Sequence, residues 1–238
     1  MNDSIIITGS KGLIGTELTK HFSKTHKVYE LDLKLGHNLS DELFVKNWFS
    51  QNKASYLVNC FALNDHITDN ESDNQSSSND TKTINNDIFS ISLNSIVEYL
   101  NINVVSLFSV CREFAKHSQS SAIINFASTY AQVSPIPTMY KKTEKHIGYS
   151  ASKGAVLQLT RHLAVHLSSK NIRVNCVVPG GIIFEQSKDF VKKYNKRVPI
   201  GRMMKKNELN GLISYLCSKE SSYMTGSIIN IDGGWTSW

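Results

Sequence analysis

The sequence contains no apolar run that approaches the roughly 20 residues of a membrane-spanning helix. It also lacks the basic segment that opens a secretory signal peptide, because Met1-Asn2-Asp3 leads directly into a strand-like run. We therefore expect a cytoplasmic protein with no membrane partner.

Metal-binding and nucleic-acid-binding patterns are also lacking. The four cysteines lie far apart, and their spacing matches no metal-ligating motif, so we interpret them as reduced residues and predict no metal site. The 26 lysine and arginine residues exceed the 20 acidic residues, which gives a formal net charge of +6. That excess permits anionic partners, but no basic helix or DNA-reading motif accompanies it, and we expect no nucleic-acid partner.

The composition that remains is that of one globular domain, residues 1–238, with 40% hydrophobic and 19% charged residues. Short apolar runs alternate along the chain with helical patterns. This alternation favours an α/β fold built on a doubly wound parallel sheet with helices on both faces. The predicted strands occupy residues 4–7, 28–32, 56–60, 122–126, 172–178 and 227–231, and a long helix is expected over about 93–116.

Two segments depart from this alternation. Residues 64–86 are almost entirely polar and cannot bury enough surface to offset the entropy of ordering, which predicts a mobile surface loop. Residues 183–206 follow the strand-breaking run Pro179-Gly180-Gly181 and are predicted to form a substrate lid with short helical pieces.

The first predicted strand runs into a glycine-rich turn at residues 8–15, and a helical pattern follows. Glycines at such a turn let the backbone approach a pyrophosphate, and the helix start offers free N–H groups to the anion. Asp32 lies 20 residues after Gly12, where a carboxylate can accept the hydroxyls of an adenosine ribose. Lys11 and Lys34 are nearby cations that could instead meet a 2′-phosphate, whereas the alternative for the turn is a tight connection without a ligand.

Tyr149 and Lys153 stand four residues apart at the start of a helical pattern, which places both side chains on one helix face. An ammonium one turn away should lower the pKa of the tyrosine from its ordinary value of about 10. A tyrosine tuned in this way can act as a general acid or base. Taken alone, the pair is also common by chance on helices.

Several motifs agree in order and spacing, and with them the chain resembles the short-chain dehydrogenase/reductase family over its full length. They are Thr8-Gly9 with Gly12 and Leu13-Ile14-Gly15, Asn59, Asn103, Ser128, Tyr149-x-x-x-Lys153, Asn175-x-x-x-Pro179-Gly180 and Asp232-Gly233-Gly234. The resemblance implies a Rossmann-like single domain, a nicotinamide cofactor and oxidoreductase activity.

The resemblance also implies a role for each catalytic residue. Tyr149 is expected to be the acid/base, Lys153 to activate it and bind the nicotinamide ribose, Ser128 to bind the substrate oxygen, and Asn103 to hold a water that relays protons. The implied cofactor-binding residues are Thr8, Gly9, Lys11, Gly12, Leu13, Ile14, Gly15, Asp32, Asn59, Tyr149, Lys153, Pro179, Gly180 and Ile182. Because Asp32 would repel a 2′-phosphate, NAD(H) is favoured over NADP(H), with Lys11 as the opposing indication.

Within the family, the chain resembles oxidoreductases of bacterial surface-sugar clusters, such as those for legionaminic-type nonulosonic acids. The expected reaction therefore interconverts an alcohol and a ketone on a sugar, sugar phosphate or nucleotide sugar. Basic residues in the insert before Tyr149, including Lys145, and in the lid predict an anionic substrate, unless they are only solvated faces. The candidate substrate-binding residues are Tyr130, Tyr140, Lys142, Gln186 and Arg202.

Two other functions remain open: reduction of a 3-oxoacyl thioester on the same fold, and a nucleotide-sensing protein without catalysis. The resemblance further implies a homodimer or homotetramer formed by two long helices, about 93–116 and 149–168. The alternative for those surfaces is a mixed solvent face.

Overall fold

The computed structural model of the chain describes residues 3–64, 88–140 and 145–238. The predicted polar loop at 64–86 lies, apart from Asn64, outside the described residues and stays a prediction, as does any role of Lys142.

A parallel sheet of six strands forms the centre of the described structure. The strands are β1 Ser4–Thr8, β2 Lys27–Leu31, β3 Tyr56–Asn59, β4 Ser121–Phe126, β5 Ile172–Pro179 and β6 Ile228–Ile231, in the spatial order β2-β1-β3-β4-β5-β6. The chain adds β2 on one side of β1 and β3 on the other, so the strand order reverses at β1. In doubly wound sheets, ligands bind beyond the carboxyl ends of the strands at such a reversal. The predicted fold class is confirmed.

Helices cover both faces of the sheet because neighbouring strand residues point to opposite sides. The helices are α1 Leu13–Phe22, α2 Glu42–Gln51, α3 Leu93–Leu100, α4 Leu107–His117, α5 Ile147–His166, α6 Lys188–Arg197 and α7 Asn210–Leu216. Ile6 of β1 belongs to the core beneath α2, α4 and α5, whereas Ile5 and Ile7 belong to the core beneath α1 and α7. A fully buried leucine, isoleucine or phenylalanine side chain contributes roughly 1.5–3 kcal/mol, so these two cores fix both helix layers.

The predicted long helix is continuous over Leu93–His117 but contains a π-helical segment, Asn101–Ser106. In the described residues it is the one helix with the length and mean hydropathy of a membrane span, with 25 residues and a mean hydropathy of 1.2. Its residues Cys111 and Phe114 pack into the core against the sheet. The apolar character of the helix is therefore accounted for, at least in part, by its place in a helix layer.

The predicted lid segment is anchored at both ends. Ile182 and Met204 pair as an isolated parallel bridge, with Ile183 N donating to Met204 O at 2.9 Å. The sequence predicts short helical pieces between these anchors. The structure has a single ten-residue helix there, α6. Its residues Phe190 and Tyr194 pack with Trp235 in a third apolar cluster, which attaches the helix to the domain.

Candidate active site

Only glycine fits at two positions here, one in the turn between β1 and α1 and one in the first turn of α1. Gly9 has a φ of +65°, and a Cβ there would lie 2.6 Å from Phe61 N. A Cβ on Gly15 would lie 2.0 Å from Gly9 O. Gly12 precedes α1 in an extended conformation, and no described side chain caps the helix. The first N–H groups of α1 are therefore available to an anion.

A carboxylate fixes the far side of this turn. Asp32, which is 9% exposed, accepts hydrogen bonds from Lys11 N at 2.9 Å and from Lys34 N at 2.8 Å. The side chain of Lys11 pairs with Glu30, with 2.5 Å between Nζ and Oε2. Of the two cations that could favour a 2′-phosphate, Lys11 is already paired with a carboxylate. Sequence reasoning missed this pairing with Glu30.

Asn59 takes part in a chain of hydrogen bonds across the strands. Its Oδ1 accepts from Thr8 Oγ1 at 3.1 Å, and its Nδ2 donates to Asn125 Oδ1 at 3.0 Å. Asn125 Nδ2 in turn donates to Thr160 Oγ1 at 3.1 Å. All four side chains are buried, so the chain holds the strand ends in register beneath the site. Thr8 and Asn59, both predicted to bind cofactor, shape the site from below through these bonds.

Lys153 is a buried ammonium on α5, one turn beyond Tyr149. It is 5% exposed, and its Nζ donates to Phe126 O at the end of β4 at 2.9 Å. Burial lowers the pKa of Lys153 to about 8, against its ordinary 10.5. The ammonium therefore predominates at neutral pH and is lost as the pH rises above about 8. Its Nζ lies 5.8 Å from the ring centroid of Tyr149, which is itself 9% exposed.

Ser128 follows β4, at the same edge of the sheet. Its Oγ accepts a hydrogen bond from Tyr130 N at 3.2 Å, which fixes the side chain at the start of a short turn. A hydroxyl that accepts through a lone pair still has its O–H to donate. Ser128 therefore keeps an O–H to donate, and its role in binding the substrate oxygen stays a prediction.

Asn103 lies in the π-helical segment and clamps the exit of β3. Its Oδ1 accepts from Leu63 N at 2.7 Å, and its Nδ2 donates to Leu63 O at 3.0 Å and to Ser152 Oγ at 2.9 Å. Both amide hydrogens are thus used by the protein. The side chain ties the segment after β3 to α5, and its expected role with a proton-relay water stays a prediction. Single π turns within helices are frequent at functional sites.

The end of β5 closes the site opposite α1. Gly180 N donates to Ile231 O at 3.0 Å, and a Cβ on Gly180 would lie 2.9 Å from Asp232 Cα. Tyr194 of α6 accepts from Gly181 N at 2.6 Å, and burial raises the pKa of Tyr194 to about 12. Pro179, Gly180 and Ile182 lie at or just beyond the carboxyl end of β5, and their binding of a cofactor stays a prediction.

The turn from Gly9 to Gly12 and the first turn of α1, which contains Gly15, form a glycine cradle that fits a dinucleotide. Glycines stand where any side chain would clash, and Ser10 Oγ in the turn is buried without a partner among the described residues. A buried hydroxyl without a partner is costly, and a ligand oxygen would satisfy it.

The candidate substrate residues are only partly brought together. Tyr130 and Tyr140 hydrogen-bond through their hydroxyls at 2.5 Å, and Tyr140 packs against Phe190 of α6. Gln186 is engaged locally, donating to Ile182 O at 2.9 Å. A concavity of about 610 Å³ lies on the lid and is lined by none of the four catalytic candidates; its lining residues are Ile183, Gln186, Lys188, Val191, Lys192, Asn195 and Lys196.

The prediction that Arg202 captures an anionic substrate is not supported by its contacts. Its Nη1 and Nη2 donate to the two carboxylate oxygens of Glu208 at 2.8 and 2.7 Å. This pairing lowers the pKa of Glu208 to about 2 and occupies the planar fork that would otherwise hold a carboxylate or phosphate. Glu208 lies two residues beyond the predicted lid, 183–206, so the basic character of that segment alone did not reveal the pair.

Comparison with known proteins decides the family. A family model described as enoyl-(acyl carrier protein) reductase matches residues 75–236. The chain belongs to the short-chain dehydrogenase/reductase family. It is 31% identical over 144 residues to a glucose 1-dehydrogenase of Gluconobacter oxydans, covering 57% of this chain and 52% of that protein. It is 30% identical over 142 residues to a 3-oxoacyl-[acyl-carrier-protein] reductase of Chlamydia trachomatis, covering 57% and 54%.

The curated relatives are matched over only part of their length. The chain spans between 25% and 54% of the first four. A similar solved structure is a short-chain dehydrogenase from Leptospira borgpetersenii with bound NAD+, with a TM-score of 0.82, 24% identity, and coverage of 99% of this chain and 93% of that one. This likeness shows that the fold is that of the family.

Sequence reasoning placed Lys145 among the basic residues of the insert but did not connect it with Tyr149. Lys145 Nζ lies 4.5 Å from the ring centroid of Tyr149, closer than Lys153 Nζ. Tyr149 follows Lys145 by four residues and precedes Lys153 by four. This equal spacing is the signal that could have linked Lys145 to the tyrosine.

The glycine cradle yields a prediction. Gly15→Ala should displace the turn, because its Cβ would overlap Gly9 O. Overpacking of this kind costs about 1–3 kcal/mol in the free energy of unfolding, and dinucleotide affinity should fall with it. Gly211→Ala is the matched control, since a Cβ there meets nothing within 4 Å in α7. Urea denaturation and NADH titration measure both effects; equal behaviour of the two variants would contradict the cradle.

Proposed function

We propose that the protein is an NAD(P)(H)-dependent oxidoreductase that interconverts an alcohol and a ketone. The observation that carries the proposal is the placement of Tyr149 and Lys153 on one face of α5, with Lys153 bonded to the end of β4 beside Ser128. The glycine turn lies at the carboxyl edge of the same sheet. When bound there, a nicotinamide cofactor supplies hydride acceptance or donation.

The side chains of this chain would manage the proton. Tyr149 gives a proton to a carbonyl oxygen in reduction or takes one from a hydroxyl in oxidation. The buried ammonium of Lys153 favours the phenolate by opposite charge, and it keeps that charge at pH values below about 8. Ser128 donates a hydrogen bond to the substrate oxygen, where negative charge develops.

Tyr149→Phe tests this mechanism, because the phenol oxygen is the one group removed. General acid–base catalysis contributes ~10²–10⁴-fold, and we expect kcat to fall by that factor while cofactor Kd stays unchanged. Steady-state oxidation of NAD(P)H with a panel of keto-sugars, beside NADH titration, provides the measurement. Turnover close to wild type in this variant would rule out the mechanism.

The adenosine end of the site favours NAD(H) over NADP(H). Two carboxylates, Glu30 and Asp32, flank the turn, and a 2′-phosphate would meet their charge. Lys11, the cation best placed to oppose them, is held by Glu30. Asp32 retains acceptor sites for ribose hydroxyls, since each carboxylate oxygen can accept more than one hydrogen bond.

Glu30→Gln should therefore improve NADPH binding selectively. Freeing Lys11 from a partly exposed ion pair is worth up to about 1 kcal/mol, or about fivefold in Kd. The Kd of NADH should change little. Glu42→Gln, which breaks a separate surface pair with Arg112, is the control. Should wild type already bind NADPH as tightly as NADH, the preference is wrong.

For the substrate we propose an anionic sugar, such as a sugar phosphate, nucleotide sugar or sugar acid in a bacterial surface-carbohydrate route. Lys188, Lys192 and Lys196 follow one stripe of α6 and line the large concavity of the lid. Within the described ranges, no carboxylate pairs with these three ammonium groups. A concave surface of one sign attracts oppositely charged ligands.

The substrate charge is tested by salt. KM should rise with ionic strength, because exposed charges are screened over about 10 Å at 0.1 M salt. Lys192→Met should raise KM more than it lowers kcat, whereas Lys20→Met on α1 should do neither. A neutral best substrate with a salt-independent KM would contradict the proposal.

A homodimer or homotetramer is also proposed. Leu93 and Val97 of α3 and Val165 of α5 are 77%, 51% and 72% exposed, on helices that contact each other. Light scattering at micromolar concentration should give a multiple of the 26.7 kDa chain mass. Val165→Glu should shift it towards the monomer and Leu33→Glu, on another surface, should not. A wild-type mass of one chain would contradict the assembly.

Two alternatives have distinct signatures. The relative named 3-oxoacyl-[acyl-carrier-protein] reductase keeps thioester reduction open, and an acetoacetyl thioester in the same assay distinguishes it. A nucleotide sensor would bind cofactor with no turnover on any substrate.

A further inference from the structure

A second ammonium lies against Tyr149. Lys145 Nζ is 4.5 Å from the centroid of the tyrosine ring, whereas Lys153 Nζ is 5.8 Å away. Lys145 is half-buried and stands two residues before the first residue of α5. The ring of Tyr149 therefore lies next to two cations, one that precedes it in the sequence and one that follows it.

The position of the Lys145 ammonium is fixed by groups outside α5. Its Nζ donates to Asn64 Oδ1 at 2.5 Å. The neighbouring residue, Leu63, is clamped at both its N–H and its carbonyl by Asn103. The same amide that orders the exit of β3 thus orders the acceptor that holds Lys145.

The backbone at Lys145 is fixed as well. His146 is 1% exposed and caps α5, its Nδ1 accepting from Gly148 N at 3.0 Å. The His146 ring stacks on Tyr99 at 4.4 Å, and Tyr99 meets Tyr149 edge-on at 6.4 Å. Lys145 is thus held next to an ordered cap and an ordered ring.

A cation in this place is costly for the helix. The start of a helix carries a partial positive charge, which disfavours an adjacent ammonium by about 0.3–1 kcal/mol. An aromatic ring attracts a cation through its π face, and a phenolate attracts it far more strongly. The attraction between Lys145 and Tyr149 offsets this repulsion by the helix dipole. It is therefore strongest when Tyr149 is ionised.

We propose that Lys145 is an auxiliary cation that, together with Lys153, stabilises the phenolate of Tyr149. The inference rests on the proposed oxidoreductase function. In alcohol oxidation the substrate O–H bond breaks and its proton goes to the phenolate oxygen. The C–H bond of the alcohol carbon breaks as the C=O bond forms, and a bound nicotinamide cofactor would supply the hydride acceptor, so that atoms and charges balance. Lys145 acts through Tyr149 and not on the substrate.

The ionisation of Tyr149 also depends on the other groups around it. Among the described residues, these groups include Lys153 on α5 and Tyr99 on α3, with His146 stacked on Tyr99. Cys60 and Cys176 lie near Lys153, and burial raises the pKa of both thiols, so neither carries a charge at neutral pH. None of them changes when Lys145 is replaced, so the effect of Lys145 can be measured separately.

The pH profile of the oxidation reaction tests the proposal. In Lys145→Met, the pH at which kcat/KM reaches half its maximum should rise by about one unit, the lower end of the 1–3 units expected for an opposite charge within 4–6 Å. Activity at neutral pH should then fall about tenfold and return to the wild-type value at high pH. Lys145→Arg should restore the profile, and Lys24→Met, an exposed lysine after α1, should leave it unchanged. A fall of the same size at every pH, or an unshifted profile, would overturn the proposal.

A second readout does not need turnover. Tyrosinate absorbance titrated in wild type and in Tyr149→Phe gives, by difference, the midpoint for Tyr149 alone. The Tyr149 midpoint obtained in the same way from Lys145→Met and Lys145→Met/Tyr149→Phe should lie about one pH unit higher. Equal midpoints would refute the role of Lys145 even in an active enzyme. A shifted midpoint in a protein without turnover would support it while the proposed function fails.

Discussion

The site depends on one buried charge, the ammonium of Lys153. Removing a cation from water is costly, and a protein keeps it charged only where polar groups are directed at it. The carbonyl of Phe126, the last residue of β4, is such a group and accepts from Lys153 Nζ. The parallel sheet therefore does more than carry α5, since the end of one of its strands supplies the acceptor for the charge.

The sheet geometry also explains why residues from distant parts of the chain meet. All six strands run in one direction, so every loop that follows a strand emerges at the same edge. The glycine turn after β1, the clamped segment after β3, Ser128 after β4 and Gly180 after β5 are four such loops. The buried chain of hydrogen bonds from Thr8 to Thr160 keeps those strand ends level, because each amide in it would be left unsatisfied by a slip in register.

Much of this could be predicted from sequence because the informative features are local. The strand predicted at 172–178 is found at Ile172–Pro179, and the glycine-rich turn predicted between the first strand and the first helix lies between β1 and α1. Local patterns do not report which side chains pair after the chain has folded. Arg202 was predicted to bind substrate, but it pairs with Glu208, which lies just beyond the predicted lid. Asn103 and Leu63, forty positions apart, meet because the segment after β3 packs against the π-helical segment Asn101–Ser106. The π turn around Asn103 has no distinct periodicity, so an unbroken helix was the natural expectation.

The central claim is that the edge of the sheet binds a nicotinamide dinucleotide next to Tyr149 and Lys153. A crystal structure of the protein grown with NAD+ tests it most directly. The account predicts the pyrophosphate at the N-terminus of α1, the adenosine ribose at Asp32 and the nicotinamide ribose within hydrogen-bonding distance of Lys153 Nζ. Crystals in which the nucleotide binds elsewhere, or in which saturating NAD+ leaves this edge without it, would contradict the account.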